Sequence, residues 1–398
     1  MMIRKSMTIC TICLTVLFTT GCWDRKELNE RGLWLATGWD VGKNGNIQLS
    51  GQIVVPSNMQ SQSGSTSGAN AFFTISSEGI NVNDSTQNLQ AKLSRESFPG
   101  HRRVVFFGEE FAKRGLTNKL DANTRGSDVS LRTDVFVVKG ATAIEVLDLN
   151  DPLEKPPAVA GIKGHQEYGG RGDIAFVNFL IAASSDGTRP SLPVIEITKI
   201  QTGKSSEGIT SEKIMRIGGL AVFNKELKLV GYLNNMENRA FLWIKGLLKK
   251  LTLTVKYDDG NASMIFTKIK SDIVPEVSSD NKIKITVKLS GKGAILENNT
   301  NLDLNDPKNV DKLKKAFEKE SKKIVYKTIK KVQGKYGQDI FGFGDVVHKK
   351  YPQKWSSLRK DWDMHFSKAD IVVTSNLQIR RVGMTGPSIL QKESEINK

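Results

Sequence analysis

Three cysteines and four histidines have the widest chemical reach in this 398-residue chain. Cys10 and Cys13 have the C-x-x-C spacing used in redox and metal chemistry, but both sit inside the apolar run Met7 to Thr20. His101, His165, His348 and His365 lie far apart in sequence, without neighbouring ligands at zinc-like spacing. Surface or packing roles outweigh metal binding for all of them. Ser184-Ser185-Asp186-Gly187 reads as a helix stop and lacks the G-x-S-x-G of a hydrolase elbow. Gly342-x-Gly344 lacks the preceding strand and following helix of a dinucleotide site. The expectation is a non-enzymatic protein without metal or cofactor, whose one chemically distinctive residue is Cys22.

Cys22 owes that distinction to what precedes it. Met1-Met2-Ile3-Arg4-Lys5 is a short basic head, the apolar run follows, and Thr20-Gly21 is a small pair ending on the cysteine. At roughly 14 residues the run is short of the about 20 that a membrane span needs, so it reads as a signal peptide. Thr20-Gly21-Cys22 resembles the lipobox of bacterial lipoproteins. That resemblance implies cleavage after Gly21 and an S-diacylglyceryl group on Cys22, with N-acylation of the same residue left open. Thr19 stands where leucine is usual, and Thr19 with Gly21 also fits the small-x-small rule of general signal peptidase, which would release a protein without lipid. Trp23, beside the anchor, could rest in the headgroup region or act as a spacer. Once the leader is removed, Cys22 is the only thiol left, so hydrophobic cores rather than disulfides must hold the exported part.

The formal charge is +16, which in a cytoplasmic protein would suggest nucleic acid. Export removes that class. A basic exterior on an anchored protein favours anionic lipid or an acidic partner, although lysines also simply solvate helix faces. Lys312 to Lys335 is the densest such stretch.

The elements that position these groups follow from periodicity. Leu33 to Val41 and Ile47 to Val55 read as strands around Gly42-Lys43-Asn44-Gly45, and Phe72 to Ile80 reads as another after a Ser/Gln/Gly loop at 57–70. Val82 to Arg95, Glu109 to Arg114, Ala141 to Leu149 and Ile174 to Ala183 read as helices; Arg102 to Phe107 and Val135 to Val138 read as strands. Thr202 to Ser211 is Gly- and Ser-rich without periodicity, hence an expected interdomain connection. Beyond it come two strands within Gly218 to Leu233, a helix from Glu237 to Leu248, and a meander of Leu251 to Tyr257, Met264 to Ile269 and Ile283 to Leu289. A long helix from Asp306 to about Tyr336 has the apolar stripe Leu313, Phe317, Ile324 and Ile329. Trp355, Leu358, Trp362 and Phe366 share one helical face, either as core or, for the two tryptophans, as a partner surface, before a closing strand Ile371 to Ile379.

The fold class is therefore α+β, with mixed or antiparallel sheets and flanking helices, in two main domains. The expected divisions are a leader at 1–21, an N-terminal domain at 22–201, a linker at 202–213, a C-terminal domain at 214–386 and a polar tail at 387–398.

Several segments resemble the Ger(x)C family, lipoprotein C subunits of germinant receptors in endospore-forming bacteria. They are Gly21-Cys22-Trp23-Asp24-Arg25-Lys26-Glu27-Leu28, His101 to Glu110 (HRRVVFFGEE), Gly219-Leu220-Ala221-Val222-Phe223 with Gly231-Tyr232-Leu233, and Asp339 to Gly344 (DIFGFG). Tyr351-Pro352, Trp355, Asp361-Trp362 and Ile379-Arg380-Arg381-Val382-Gly383 complete the set. Where the family often has an Arg-Asp pair followed by Glu-x-Arg, this chain has Arg125-Gly126-Ser127-Asp128 and then Arg132. The resemblance implies work beside an integral-membrane A-type subunit and a permease-like B-type subunit, on the outer face of the inner spore membrane. The alternative expectation is a solute-binding lipoprotein that captures a small nutrient itself.

Overall fold

The computed structural model describes residues 30–55, 72–125, 130–149, 151, 154, 156–170, 174–205 and 208–382. The leader, Cys22, Trp23, the loop at 57–70 and the tail at 387–398 lie outside the described residues.

Two sheets organise the described residues. The first has nine strands: β1 (Arg31–Val41), β2 (Ile47–Val54), β3 (Phe72–Gly79), β4 (Glu96–Phe98), β5 (Val104–Gly108), β6 (Asp134–Lys139), β7 (Ser191–Ser205), β8 (Gly208–Phe223) and β9 (Leu229–Leu233). Their order is β3-β2-β1-β5-β6-β7-β8-β9, with β4 beside β1. The outer ladders are antiparallel, whereas β1, β5, β6 and β7 run parallel. Parallel strands require helical crossovers, and these cover both faces of the central strands. Such strands have no side facing water, which is why Val104–Gly108 and Val135–Val138 are continuous apolar runs rather than alternating ones. Val105, Phe107 and Val137 pack on one side against Trp39, Phe111 and Phe179. Val104, Phe106 and Phe136 pack on the other against Val146, Leu147 and Ile162.

The covering helices are α1 (Val82–Gln90), α2 (Glu109–Lys113), α3 (Asp121–Arg125), α4 (Ala143–Leu147), α5 (Pro157–Tyr168) and α6 (Phe176–Ser184). A capping box closes the start of α4, with Thr142 Oγ1 facing the amide of Glu145 and the Glu145 carboxylate accepting from the amide of Thr142. Buried Asp40 reaches across from β1 to accept from the amides of Ala143 and Ile144.

Helix α7 (Asn235–Ile244) leads to the second sheet, β10 (Leu251–Tyr257), β11 (Gly260–Val277), β12 (Ile283–Asn298) and β13 (Asp370–Arg381), in that order. β12 and β13 pair in parallel and the other ladders are antiparallel. One face packs on α8 (Pro307–Lys331), α9 (Phe343–Lys350), α10 (Pro352–Leu358) and α11 (Trp362–Lys368). In β12 buried residues alternate with more exposed ones from Ile283 to Ile295, the signature of a sheet with one wet face. Helix α8 lays Leu313, Phe317, Val325 and Ile329 on the core, with Asp306 capping its start by accepting from the amide of Lys308.

Four segments differ from the sequence pattern. The stretch expected as a linker, 202–213, is the end of the β7–β8 hairpin, paired as Gly203 with Thr210 and Ser205 with Gly208. A backbone ladder needs no apolar side chains, so the low-propensity sequence hid it. The two strands within Gly218 to Leu233, the end of β8 and the short β9, pair in the first sheet, while their Leu220, Val222 and Leu233 also pack into the core of the second half. Helix α5 falls where periodicity assigned no element; Pro157 sits in its first turn and Gly169, at φ 116, ends it. The long helix stops at Lys331, then passes through a π-helical turn at Val332–Tyr336 that closes on Gly337.

Candidate functional site

A cluster of polar side chains converges where the two halves meet. After α6, Ser185-Asp186-Gly187-Thr188 turns and lies against the segment Asp339–Asp345. The approach is possible only between glycines: a Cβ on Gly344 would stand 2.5 Å from Gly187 Cα, and one on Gly187 would stand 2.7 Å from the Asp345 amide nitrogen. Ser185 Oγ donates to Asp345 Oδ1 at 2.8 Å, and Thr188 Oγ1 donates to the other carboxylate oxygen of Asp345.

Arg189 locks this turn. It is only 4% exposed. Its Nη1 donates to the carbonyls of Ser185, Asp186 and Thr188 at 3.2, 3.3 and 3.1 Å. Its Nε and Nη2 donate to Asp363 Oδ2 at 3.2 and 3.0 Å. The Arg189 amide donates to the Asp339 carbonyl at 2.7 Å. A guanidinium suits this place because its planar fork can satisfy several acceptors at once while remaining charged.

On the other side sits Asp339, fully buried. Its Oδ1 accepts from the amides of Phe341 and Gly342 at 3.0 Å each. Its Oδ2 accepts from the Gly344 amide at 2.8 Å and from Trp362 Nε1 at 3.0 Å. Burial pushes the Asp339 carboxyl up to about 6, with the Gly344 amide and the Trp362 indole pulling it back toward ionisation. Beside this knot lies a cleft of ≈380 Å³ lined from both halves by Phe179, Arg189, Phe241, Lys245 and Asp345, with Ile181 at its rim 62% exposed.

The arrangement clamps one half to the other. Arg189 and Asp345 spend their hydrogen bonds on neighbouring backbone and side chains, and no nucleophile and base are paired in it. No group of His, Cys, Asp and Glu among the described residues could hold a metal ion.

The sequence-expected site residues fall elsewhere. Cys22, the cleavage point after Gly21, and Trp23 are outside the described residues. Trp355 and Trp362, 4% and 1% exposed, pack against each other at 5.2 Å in the C-terminal core. As partner-contact residues they are corrected: neither ring presents a face to solvent, and the Trp362 nitrogen is committed to Asp339. The helix expected to carry them is broken at Arg359–Asp361, yet Leu358 and Phe366 still reach the same core. His165 is buried against Phe136, and His348 stacks on Trp355. Sequence reasoning noted both Asp339–Gly344 and Ser184–Gly187 but did not join them, and it passed over Arg189, Asp345 and Asp363. Two glycine turns, each beside a lone charge, were the available signal.

Comparison with known proteins covers the chain almost end to end. A profile described as "Spore germination protein N-terminal domain" matches residues 24–197. Another, described as "Spore germination B3/ GerAC like, C-terminal", matches residues 218–383. The chain is 28% identical to spore germination protein KC of Bacillus subtilis (strain 168), over 96% of this chain and 97% of that protein. It is 27% identical to spore germination protein YndF of the same organism, over 96% and 97% of the two chains. Its fold is similar to that in the crystal structure of the GerBC protein, with a TM-score of 0.53 at 17% identity, covering 86% of this chain and 96% of that one.

Proposed function

Because the chain belongs to the Ger(x)C family of spore germination proteins, the C subunits of germinant receptors, we propose that it is the lipid-anchored subunit of a spore nutrient receptor, acting in receptor assembly and coupling rather than in catalysis. The observation that carries this reading is the end-to-end likeness, with both family profiles present in order on one chain. Cys22 is the proposed anchor, through S-diacylglyceryl attachment after cleavage behind Gly21. Two acyl chains give durable attachment where one gives only marginal binding. That is consistent with a body in which no helix among the described residues is long and apolar enough to cross a membrane. The proposed partners are the integral-membrane A-type and the permease-like B-type subunits, and the proposed place is the outer face of the inner spore membrane.

Fatty-acid labelling of the wild type beside Cys22→Ala, with membrane fractionation and germination scored together, tests the reading. Label, membrane retention and nutrient response should all fall in the variant. An unlabelled, soluble wild type would remove the anchor and most of the receptor proposal. Direct nutrient capture is the second reading, favoured by the ≈380 Å³ cleft between the halves. Calorimetry of the full chain with candidate nutrients separates the two, since saturable heat would shift the assignment toward capture.

A further inference from the structure

Among the described residues no helix lies on the outer face of the second sheet, and lysines predominate there. Opposite the helix-packed side, β11 and β12 present Lys268, Lys270, Lys284, Lys288 and Lys292, with Asp272 opposite Lys288 and Glu276 paired to Lys284 toward the other end of the face. At one end of this face two β-bulges meet around a single residue, Gly293. On the β11 side the register slips between Phe266 and Lys268, leaving Thr267 as the extra residue. On the β13 side Gly293 pairs with Ile379 and Ala294 with Arg381, leaving Arg380 as the extra residue. Bulges re-aim side chains, and here they gather Lys268, Lys292, Arg380 and Arg381 around one pocket of ≈300 Å³. Gly293 makes the approach possible, because a Cβ there would lie 2.0 Å from the Ile265 carbonyl oxygen.

Charge in this pocket has no internal compensation. No carboxylate lines it, and no ion pair to any of the four cations is found among the described residues. Lys268 and Lys292 are direct cross-strand partners, an arrangement that works against folding when both are charged. A fold that holds like charges together with no counter-charge is prepared for an anion from outside.

We infer that Lys268, Lys292, Arg380 and Arg381 form a binding pocket for phosphate groups. A single carboxylate would neutralise one of the four charges, whereas a phosphate ester or pyrophosphate offers several acceptor oxygens and matches the planar forks of two arginines. The pocket exceeds the size of one phosphate, so the group arrives attached to a larger body, either an anionic phospholipid headgroup or a soluble polyphosphate.

The test uses the full chain bearing Cys22→Ala, so that lipid attachment does not contribute and the outcome is independent of the anchor proposal. Pyrophosphate is titrated by calorimetry, and flotation is measured with vesicles of phosphatidylglycerol in phosphatidylcholine. Three further proteins carry Lys268→Gln with Lys292→Gln, Arg380→Gln with Arg381→Gln, or the charge-matched control Lys225→Gln with Lys249→Gln, two exposed lysines away from both the pocket and α8. Circular dichroism and a melting curve establish that each is folded. The pocket variants should weaken binding about five-fold per removed cation, and the control should bind as before. Pyrophosphate binding without flotation identifies a soluble source; flotation lost only in the pocket variants identifies a headgroup. Binding of neither probe, or equal losses in pocket and control variants, overturns the site.

Discussion

The two sheets solve the same burial problem in opposite ways. The central strands of the first are covered on both faces, so residues such as Phe106 and Phe107, neighbours in sequence, are both fully buried in different layers. The second sheet buries one face only, so Val287 is buried while Lys288 stands in water. Its exposed face carries mostly basic side chains, and Trp243, Trp355 and Trp362 pack from the helices into the core on its covered side. Surface available to partners therefore concentrates on the second sheet, and tolerance to substitution should divide along the same line.

The largest expected contrast comes from truncating the doubly covered sheet. Phe106→Ala removes a ring stacked on Phe136 at 5.8 Å and should cost about 3–5 kcal/mol in a denaturant titration. A cost under about 1 kcal/mol there would mean the two-sided core is looser than its burial indicates.

The junction between the halves comes next. Asp339→Asn keeps the volume but places an amide donor among four donors, so a loss of about 2–3 kcal/mol is expected. The same residue makes a pH prediction. Its folded value of about 6 stands above the ordinary 3.8, so the folded state binds the proton more tightly. The stability this group contributes is full below about pH 4 and is lost as pH rises through about 6. The denaturation midpoint difference between wild type and Asp339→Asn should thus narrow between pH 4.5 and 7, and a widening would reverse the assigned sign.

Gly187→Ala forces a methyl toward the Asp345 backbone and should cost about 1–3 kcal/mol, read as a lower melting temperature. If it also exposes the junction to limited proteolysis, the clamp between halves is the weak point. The smallest effect belongs to the bare face: Lys288→Ala should change stability by no more than about 0.5 kcal/mol. A large loss there would show that something in the molecule covers that face.

Much of this architecture was legible in the residues. The apolar runs at Val104–Gly108 and Val135–Val138, the alternation of β12 and the 3.6-residue stripe of α8 each announce their element, because burial geometry imposes its own period on a sequence. The β7–β8 hairpin tip and helix α5 were not legible. The first is held by a backbone ladder that leaves no side-chain pattern, and the second begins behind prolines that read equally well as a loop.

The site residues divide the same way. Sequence alone marked Cys22 as the anchor candidate, the basic character of the chain, and the family, since each depends on residues adjacent in the chain. The tertiary structure alone decided that Arg189 meets Asp363 and that Thr188 meets Asp345 across 174 and 157 positions, and that Trp362 faces inward to Asp339. It likewise gathered Lys268, Lys292, Arg380 and Arg381 from three strands. Local pattern encodes which face of an element is buried, but which faces meet is set by packing the whole chain at once, and no window of sequence contains that information.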